Sequence, residues 1–150
     1  MKKILFVCTG NTCRSPMAEV ILKNKIKWSG IKGYTVTSAG LSATDGDKMN
    51  AKSRLALKQL GIKGGAFKAK MLTQDLLSKC AYVICMTSEH KNYLEKYVNQ
   101  KKTKLFSASD IIGKDVLDPY GQTENEYIIC SHEIERLCNI IIEKLFEKDL

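Results

Sequence analysis

Proline is nearly missing from this chain of 150 residues, which has two, Pro16 and Pro119. Its ten glycines follow no period, so collagen-like and low-complexity classes are excluded. No apolar run comes near the roughly 18 residues that a membrane span requires. The first such run, Ile4 to Cys8, gives way to Thr9-Gly10-Asn11 and is too short for the apolar core of a secretion signal. The expectation is a cytoplasmic protein with no membrane partner. Arginine is scarce as well. Of 24 basic residues only Arg14, Arg54 and Arg136 are arginines, and aromatics make up 7%. A nucleic-acid reader combines arginine forks with interleaved aromatics. The net charge of +8 therefore reads as a solvated lysine surface with no nucleic-acid partner, and leaves a weak preference for acidic or phosphorylated ones.

Apolar residues make up 44% and charged ones 27%, a globular composition. A chain of this length suits one domain, residues 1–150, burying roughly 70% of its unfolded surface. The cysteines are Cys8, Cys13, Cys80, Cys85, Cys130 and Cys138. None forms a C-x-x-C pair, and His90 and His132 complete no zinc spacing. Reduced thiols are expected, most of them small core residues. No metal or other cofactor is expected, and the chain reads as a monomer.

Strands and helices alternate along the sequence. Lys3 to Cys8 reads as a buried first strand. Ser15 reads as an N-cap and Pro16 as the first residue of a helix running to about Trp28 and stopping near Gly30. Tyr34 to Ser38 is a second strand, followed by a loop through Asp47. Ala51, Leu55 and Leu60 fall on one face of a helix that Gly61 closes. Met71 to Lys79 holds a short helix started by Thr73 and Asp75. Ala81 to Met86 is a third strand, Ser88 to Val98 a helix and Thr103 to Phe106 a fourth strand. A long loop passes Gly113 and Asp118-Pro119-Tyr120-Gly121. The last helix spans about Glu124 to Phe146, with Tyr127, Cys130, Ile134, Leu137, Ile141 and Leu145 turned to the core. The pattern predicts an α/β fold: one three-layer domain, a four-stranded parallel sheet and helices on both faces. Ligands of such sheets bind beyond the C-terminal strand ends, which singles out the loop after strand one.

That loop reads Cys8-Thr9-Gly10-Asn11-Thr12-Cys13-Arg14-Ser15-Pro16. A cysteine ends a strand, five residues follow, then an arginine opens a helix. The amides of Thr9 to Arg14 can curl around a tetrahedral oxyanion. Gly10 and Asn11 tolerate left-handed backbone. The helix N-terminus adds the positive end of a dipole, and Arg14 can grip two phosphate oxygens with its planar fork. The same donors favour a thiolate at Cys8. A thiolate facing a phosphoryl group is a nucleophile for phosphoryl transfer.

The segment resembles the signature loop of the low-molecular-weight protein tyrosine phosphatase family, C-x5-R-S-P near the N-terminus. Length, element order and the late Asp118-Pro119-Tyr120 extend the resemblance over the whole chain. It implies that Cys8 is the nucleophile, Arg14 the phosphate clamp and Asp118 the general acid, with a cysteinyl-phosphate intermediate and no metal. It also implies that Asn11 and Ser15 support the loop, that Ser15 hydrogen-bonds the sulfur, and that Ser38 belongs to the same support. Phosphate contacts fall to Thr9, Gly10, Asn11, Thr12, Cys13, Arg14 and Ser15, with Tyr120 at the pocket. A reversible Cys8–Cys13 disulfide under oxidation is a further implication.

The string from Cys8 to Glu19 resembles the protein arginine phosphatase branch of the family, in which a threonine at the position of Thr12 filters specificity. Tyrosine-specific members carry a bulky aliphatic residue there. Many of them also carry two tyrosines after the Asp-Pro pair, where this chain has Tyr120 then Gly121. Proteins phosphorylated on arginine are the favoured substrates, with phosphotyrosine as the alternative. Arsenate reduction ranks third, because its two relay cysteines have no clear counterpart in Cys80 and Cys85. A phosphocysteine carrier of the sugar-transport type is the alternative from another class, but it needs neither Arg14 nor a late aspartate.

Overall fold

The computed structural model describes residues 1–148 and 150. The elements run β1 (Lys2–Cys8), α1 (Arg14–Ser29), β2 (Tyr34–Gly40), α2 (Ala51–Gln59), α3 (Gln74–Ser78), β3 (Tyr82–Cys85), α4 (Ser88–Leu94), β4 (Lys104–Ser107), α5 (Ala108–Ile112) and α6 (Glu124–Glu147). The four strands form one parallel sheet in the order β2-β1-β3-β4. Strand β1 is central and its apolar run is buried throughout. Successive side chains of a strand point to opposite faces, so β1 feeds two cores. Ile4, Phe6 and Cys8 pack with α1, α2, α5 and α6 on one face. Leu5 and Val7 pack with Leu77 of α3 and Leu94 of α4 on the other. The expected three-layer fold with helices on both faces is what forms.

Topology fixes where the functional loop lies. From β1 the chain passes through α1 to β2 on one side, then returns across the sheet to β3 on the other. Neighbouring β1 and β3 are followed by helices on opposite faces, and their C-terminal ends part at a crevice. The segment Thr9–Cys13 lies there.

The long helix α6 presents Tyr127, Cys130, Ile134, Leu137, Ile141 and Leu145 to the core, each 4% exposed or less, in agreement with its sequence stripe. Among the described residues no helix is long and apolar enough to cross a membrane.

Four details differ from the sequence reading. Helix α1 starts at Arg14 with Cys13 in the cap position and no side-chain cap. Ser15 lies inside the first turn, because its hydroxyl is engaged with Cys8 and Asn11. Helix α2 buries Ser53, Ala56 and Leu57, whereas Leu55 is 45% exposed. Small residues at 53 and 56 face inward where α2 packs closely on α6, a contact that counting large apolar residues overlooks. The helix expected to Val98 ends at Leu94 and tightens into a 3-10 turn over Glu95–Tyr97. Helix α5 lies where the sequence pattern predicts a loop. Its start is a capping box, with Asp110 N–H donating to Ser107 Oγ and Ser107 N–H donating to Asp110, and left-handed Gly113 ends it.

Ile134 is fully buried at the centre of the α6 stripe. Ile134→Ala is expected to lower unfolding stability by about 2–5 kcal/mol, read from the urea midpoint at unchanged slope.

Candidate active site

A pocket of about 230 Å3 opens at the C-terminal end of β1, lined by Cys8, Thr9, Gly10, Thr12, Cys13, Arg14, Asp118 and Tyr120. The structure thus brings together residues more than a hundred positions apart. A wider groove, about 660 Å3, runs along α1 beside Gly61–Phe67, but no cysteine or arginine lines it. Among the described residues no group of three or more metal-ligating side chains gathers.

The Cys8 sulfur ends β1 and is 2% exposed as a residue. Two groups approach it: the Asn11 backbone N–H at 3.3 Å and the Ser15 hydroxyl at 2.9 Å. Asn11 is fully buried with φ 54°, a left-handed turn that asparagine tolerates better than most residues. Both polar atoms of its carboxamide are engaged. The Nδ2 donates to Ser15 Oγ at 2.8 Å and Ser38 Oγ at 3.0 Å, and Oδ1 accepts the Lys70 backbone N–H at 3.0 Å. Because a backbone N–H can only donate, the amide orientation is fixed.

Proton directions follow from that amide. Ser38 accepts from Asn11 and donates to Glu19 Oε1 at 2.8 Å. Ser15 also accepts from Asn11, and its own proton finds its partner in the Cys8 sulfur. A chain of donors therefore runs from Asn11 through Ser15 to the Cys8 sulfur. A second arm ends on the buried Glu19, which pairs with Lys23 at 2.7 Å. Lys70, Glu19 and Lys23 did not stand out in the sequence. Glu19 had a signal: it is four residues after Ser15 in one helix, hence on the same face.

Arg14 is 4% exposed. One guanidinium nitrogen donates to the Val116 carbonyl at 3.0 Å, and another stands 3.7 Å from Asp118 Oδ2. The loop carrying Asp118 is tied down twice. Val116 N–H donates to the Met86 carbonyl after β3, and Asp115 accepts from the backbone and hydroxyl of Ser88 at the start of α4. Asp118 also accepts the Tyr120 N–H at 3.0 Å, closing a turn that leaves Tyr120 71% exposed at the pocket.

Gly40 ends β2 against the loop. Leu41 N–H donates to the Cys8 carbonyl and Ser42 N–H to the Thr9 carbonyl, at 3.0 and 2.9 Å. A Cβ at position 40 would lie 2.5 Å from Thr9 O and 2.9 Å from Asn11 N, so only glycine lets the strand end approach this closely.

A scan against family models matches residues 3–149 to "Low molecular weight phosphotyrosine protein phosphatase". The chain belongs to that family. Among relatives, it is 35% identical over 146 residues to a protein-arginine-phosphatase of Geobacillus stearothermophilus, covering 95% of each chain. A low molecular weight protein tyrosine phosphatase from T. tengcongensis superposes with a TM-score of 0.88 at 36% identity, over 96% of this chain and 99% of that one. A mutant YwlE arginine phosphatase solved with a phosphorylated active site serine superposes with a TM-score of 0.88 at 32% identity, covering 97% and 96%. The chain is a protein phosphatase of this family, and both arginine and tyrosine phosphatases are among its relatives.

Besides Cys8 and Cys13, no cysteine among the described residues lines the pocket. Burial pushes Cys85 and Cys130 up to about 12 and Cys80 up to about 11. Cys80 and Cys85 pack in the core of the α3 and α4 face, whereas Cys8 packs on the face of α1. The relay of an arsenate reductase is not assembled here.

Gly40→Ala is expected to push the loop off Cys8 and to weaken inorganic phosphate binding by at least tenfold, about 1.4 kcal/mol. Calorimetric titration with phosphate checks it.

Proposed function

We propose that this chain hydrolyses phosphoarginine in proteins through a cysteinyl-phosphate. The reading is carried by the lining of the pocket: Thr12 stands in its wall, and Tyr120 is its one aromatic. A phenol ring is best held by flat apolar or aromatic walls. A phosphoguanidinium presents N–H groups, which a threonine hydroxyl accepts. The similarity to a protein-arginine-phosphatase over nearly the full length supports the same reading.

In the first step the Cys8 sulfur attacks phosphorus in line with the P–N bond. The loop amides and Arg14 hold the equatorial oxygens. Asp118 gives its proton to the departing guanidine nitrogen as that bond breaks. Asp118, now a carboxylate, takes a proton from water. The water oxygen displaces sulfur from phosphorus, releasing inorganic phosphate and restoring Cys8. The relative captured with a phosphorylated active site serine supports a phosphoryl group resting on the nucleophile position. Ser15, Asn11 and Ser38 keep the sulfur supplied with donors. We place the enzyme in the reducing cytoplasm, as a monomer, where its cysteines are free thiols and its partners are phosphorylated proteins.

The proposal includes protection of the nucleophile. Peroxide takes Cys8 to the sulfenic acid. The Cys13 thiolate then attacks that sulfur, forming the S–S bond as the S–O bond breaks, and the hydroxide released takes up a proton to become water. Burial raises the Cys13 thiol above its ordinary range, so the thiolate is scarce at neutral pH.

The deciding assay compares phosphate release from a phosphoarginine peptide and a matched phosphotyrosine peptide, with Cys8→Ser as the blank. Faster Cys8-dependent release from phosphoarginine is expected, and Thr12→Ile should move the preference toward phosphotyrosine. A wild-type preference for phosphotyrosine would return the chain to the family's tyrosine phosphatases. For the disulfide, the closure rate after a peroxide pulse should climb about tenfold per pH unit across neutrality, because Cys13 titrates high. A flat rate, or closure persisting in Cys13→Ser, would remove Cys13 from the role.

A further inference from the structure

One buried imidazole beside the pocket has no part in the chemistry described so far. His90, in the first turn of α4, is 8% exposed. Its Nε2 stands 2.9 Å from Thr9 Oγ1, and Thr9 directly follows the nucleophile and lines the pocket. Its Nδ1 is buried and has no hydrogen-bond partner among the described residues. The groups around the ring pull in opposite directions. Burial and the Arg14 charge lower its proton affinity, while Glu89, Asp115 and Asp118 raise it, with a net lowering. The ring is thus neutral near neutral pH and carries a single N–H. On Nδ1 that proton would be a buried donor without an acceptor, the loss of a full hydrogen bond. On Nε2 it is satisfied by Thr9.

This bond fixes the Thr9 side chain and uses one lone pair of its oxygen. The second lone pair remains for a ligand. The need for acceptors in this pocket is specific. Arg14 and the loop amides are donors only, and they suit the phosphoryl end of a substrate. An aryl leaving group asks for nothing more. A guanidine leaving group brings N–H donors of its own into the pocket, and beyond the Asp118 carboxyl, which is to give up its proton, these call for further acceptors. Thr12 supplies one hydroxyl and Thr9 a second. A neutral ring behind Thr9 also spares the arriving guanidinium another positive charge next to Arg14.

We propose that Thr9 is a specificity-determining residue whose hydroxyl accepts an N–H of a guanidine leaving group, and that His90 is the positioning residue that holds it there. The inference rests on the phosphoarginine reading above and assigns a second part of the pocket to it.

The test measures kcat/KM on matched phosphoarginine and phosphotyrosine peptides for four variants. Thr9→Val, which keeps the shape and loses the hydroxyl, should lower the phosphoarginine-to-phosphotyrosine ratio about tenfold. Thr9→Ser should keep the ratio within about threefold of wild type. His90→Leu should reproduce Thr9→Val, and His90→Gln, which restores an N–H at similar reach, should recover most of the preference. A merely structural histidine would lower both substrates in proportion, and that result in Thr9→Val would overturn the proposal. If His90→Leu melts early, Thr9→Val still decides, because it leaves the ring in place. The two readings fail separately. A wild type that prefers phosphotyrosine sinks the phosphoarginine assignment, whereas one that prefers phosphoarginine with an unchanged ratio in Thr9→Val sinks only the role of Thr9.

Discussion

The carboxamide of Asn11 holds the hydroxyl of Ser15 against the Cys8 sulfur. Its left-handed backbone also aims its own N–H at the same atom. Both polar atoms of that buried side chain are engaged, in three hydrogen bonds, in a setting where an unmet polar group costs about 1–3 kcal/mol. The loop is therefore held in its curl before any ligand arrives. Pre-set donors need no reorganisation when charge develops on a bound group, and such donors are usually the largest contribution to a reaction of this kind.

The sheet order supplies the rest of the geometry. β1 delivers Cys8, and α1 begins at Arg14. The connection after β4 and α5 returns over the same sheet end, because Val116 and Asp115 fasten it to the residues that follow β3. Asp118, more than a hundred residues downstream, thus lines the same pocket as Cys8. The buried Arg14 charge is satisfied from this same loop, by a carbonyl and a carboxylate. Without such partners, a buried guanidinium would be strongly destabilising.

The main chain of events along β1 and the loop was legible because each part has a local sign: a continuous apolar strand, turn residues, then an arginine at a helix start. The stripe of α6 was legible for the same reason, since its large apolar residues recur with helical spacing. Ser15 has the composition of a cap, but its hydroxyl is claimed by Cys8 and Asn11, seven and four residues before it, and the contact to sulfur is one the family resemblance implied. The other departures depend on partners distant in sequence. Leu55 has the composition of a core residue, yet the close approach of α2 to α6 selects Ser53 and Ala56. His90 offered no periodic or motif signal. Its place is set by the packing of α4 beside Thr9, a partner 81 residues away. Helix α5 did carry a local sign, the Ser107-to-Asp110 capping spacing, which the length of the following loop obscured.

The contact between Gly40 and the loop joins two properties that are separate in many enzymes. Cys8 and Thr9 carbonyls are taken by amides from the end of β2, and the strand approaches so closely that no side chain fits between. The loop after Cys8 thus shares its hydrogen bonds with the register of the β1–β2 pair, and opening it would fray that pair. Local breathing that would spare the scaffold has little room here. Catalytic competence and cooperative folding should rise and fall as a single transition, which makes turnover itself a gauge of the native population.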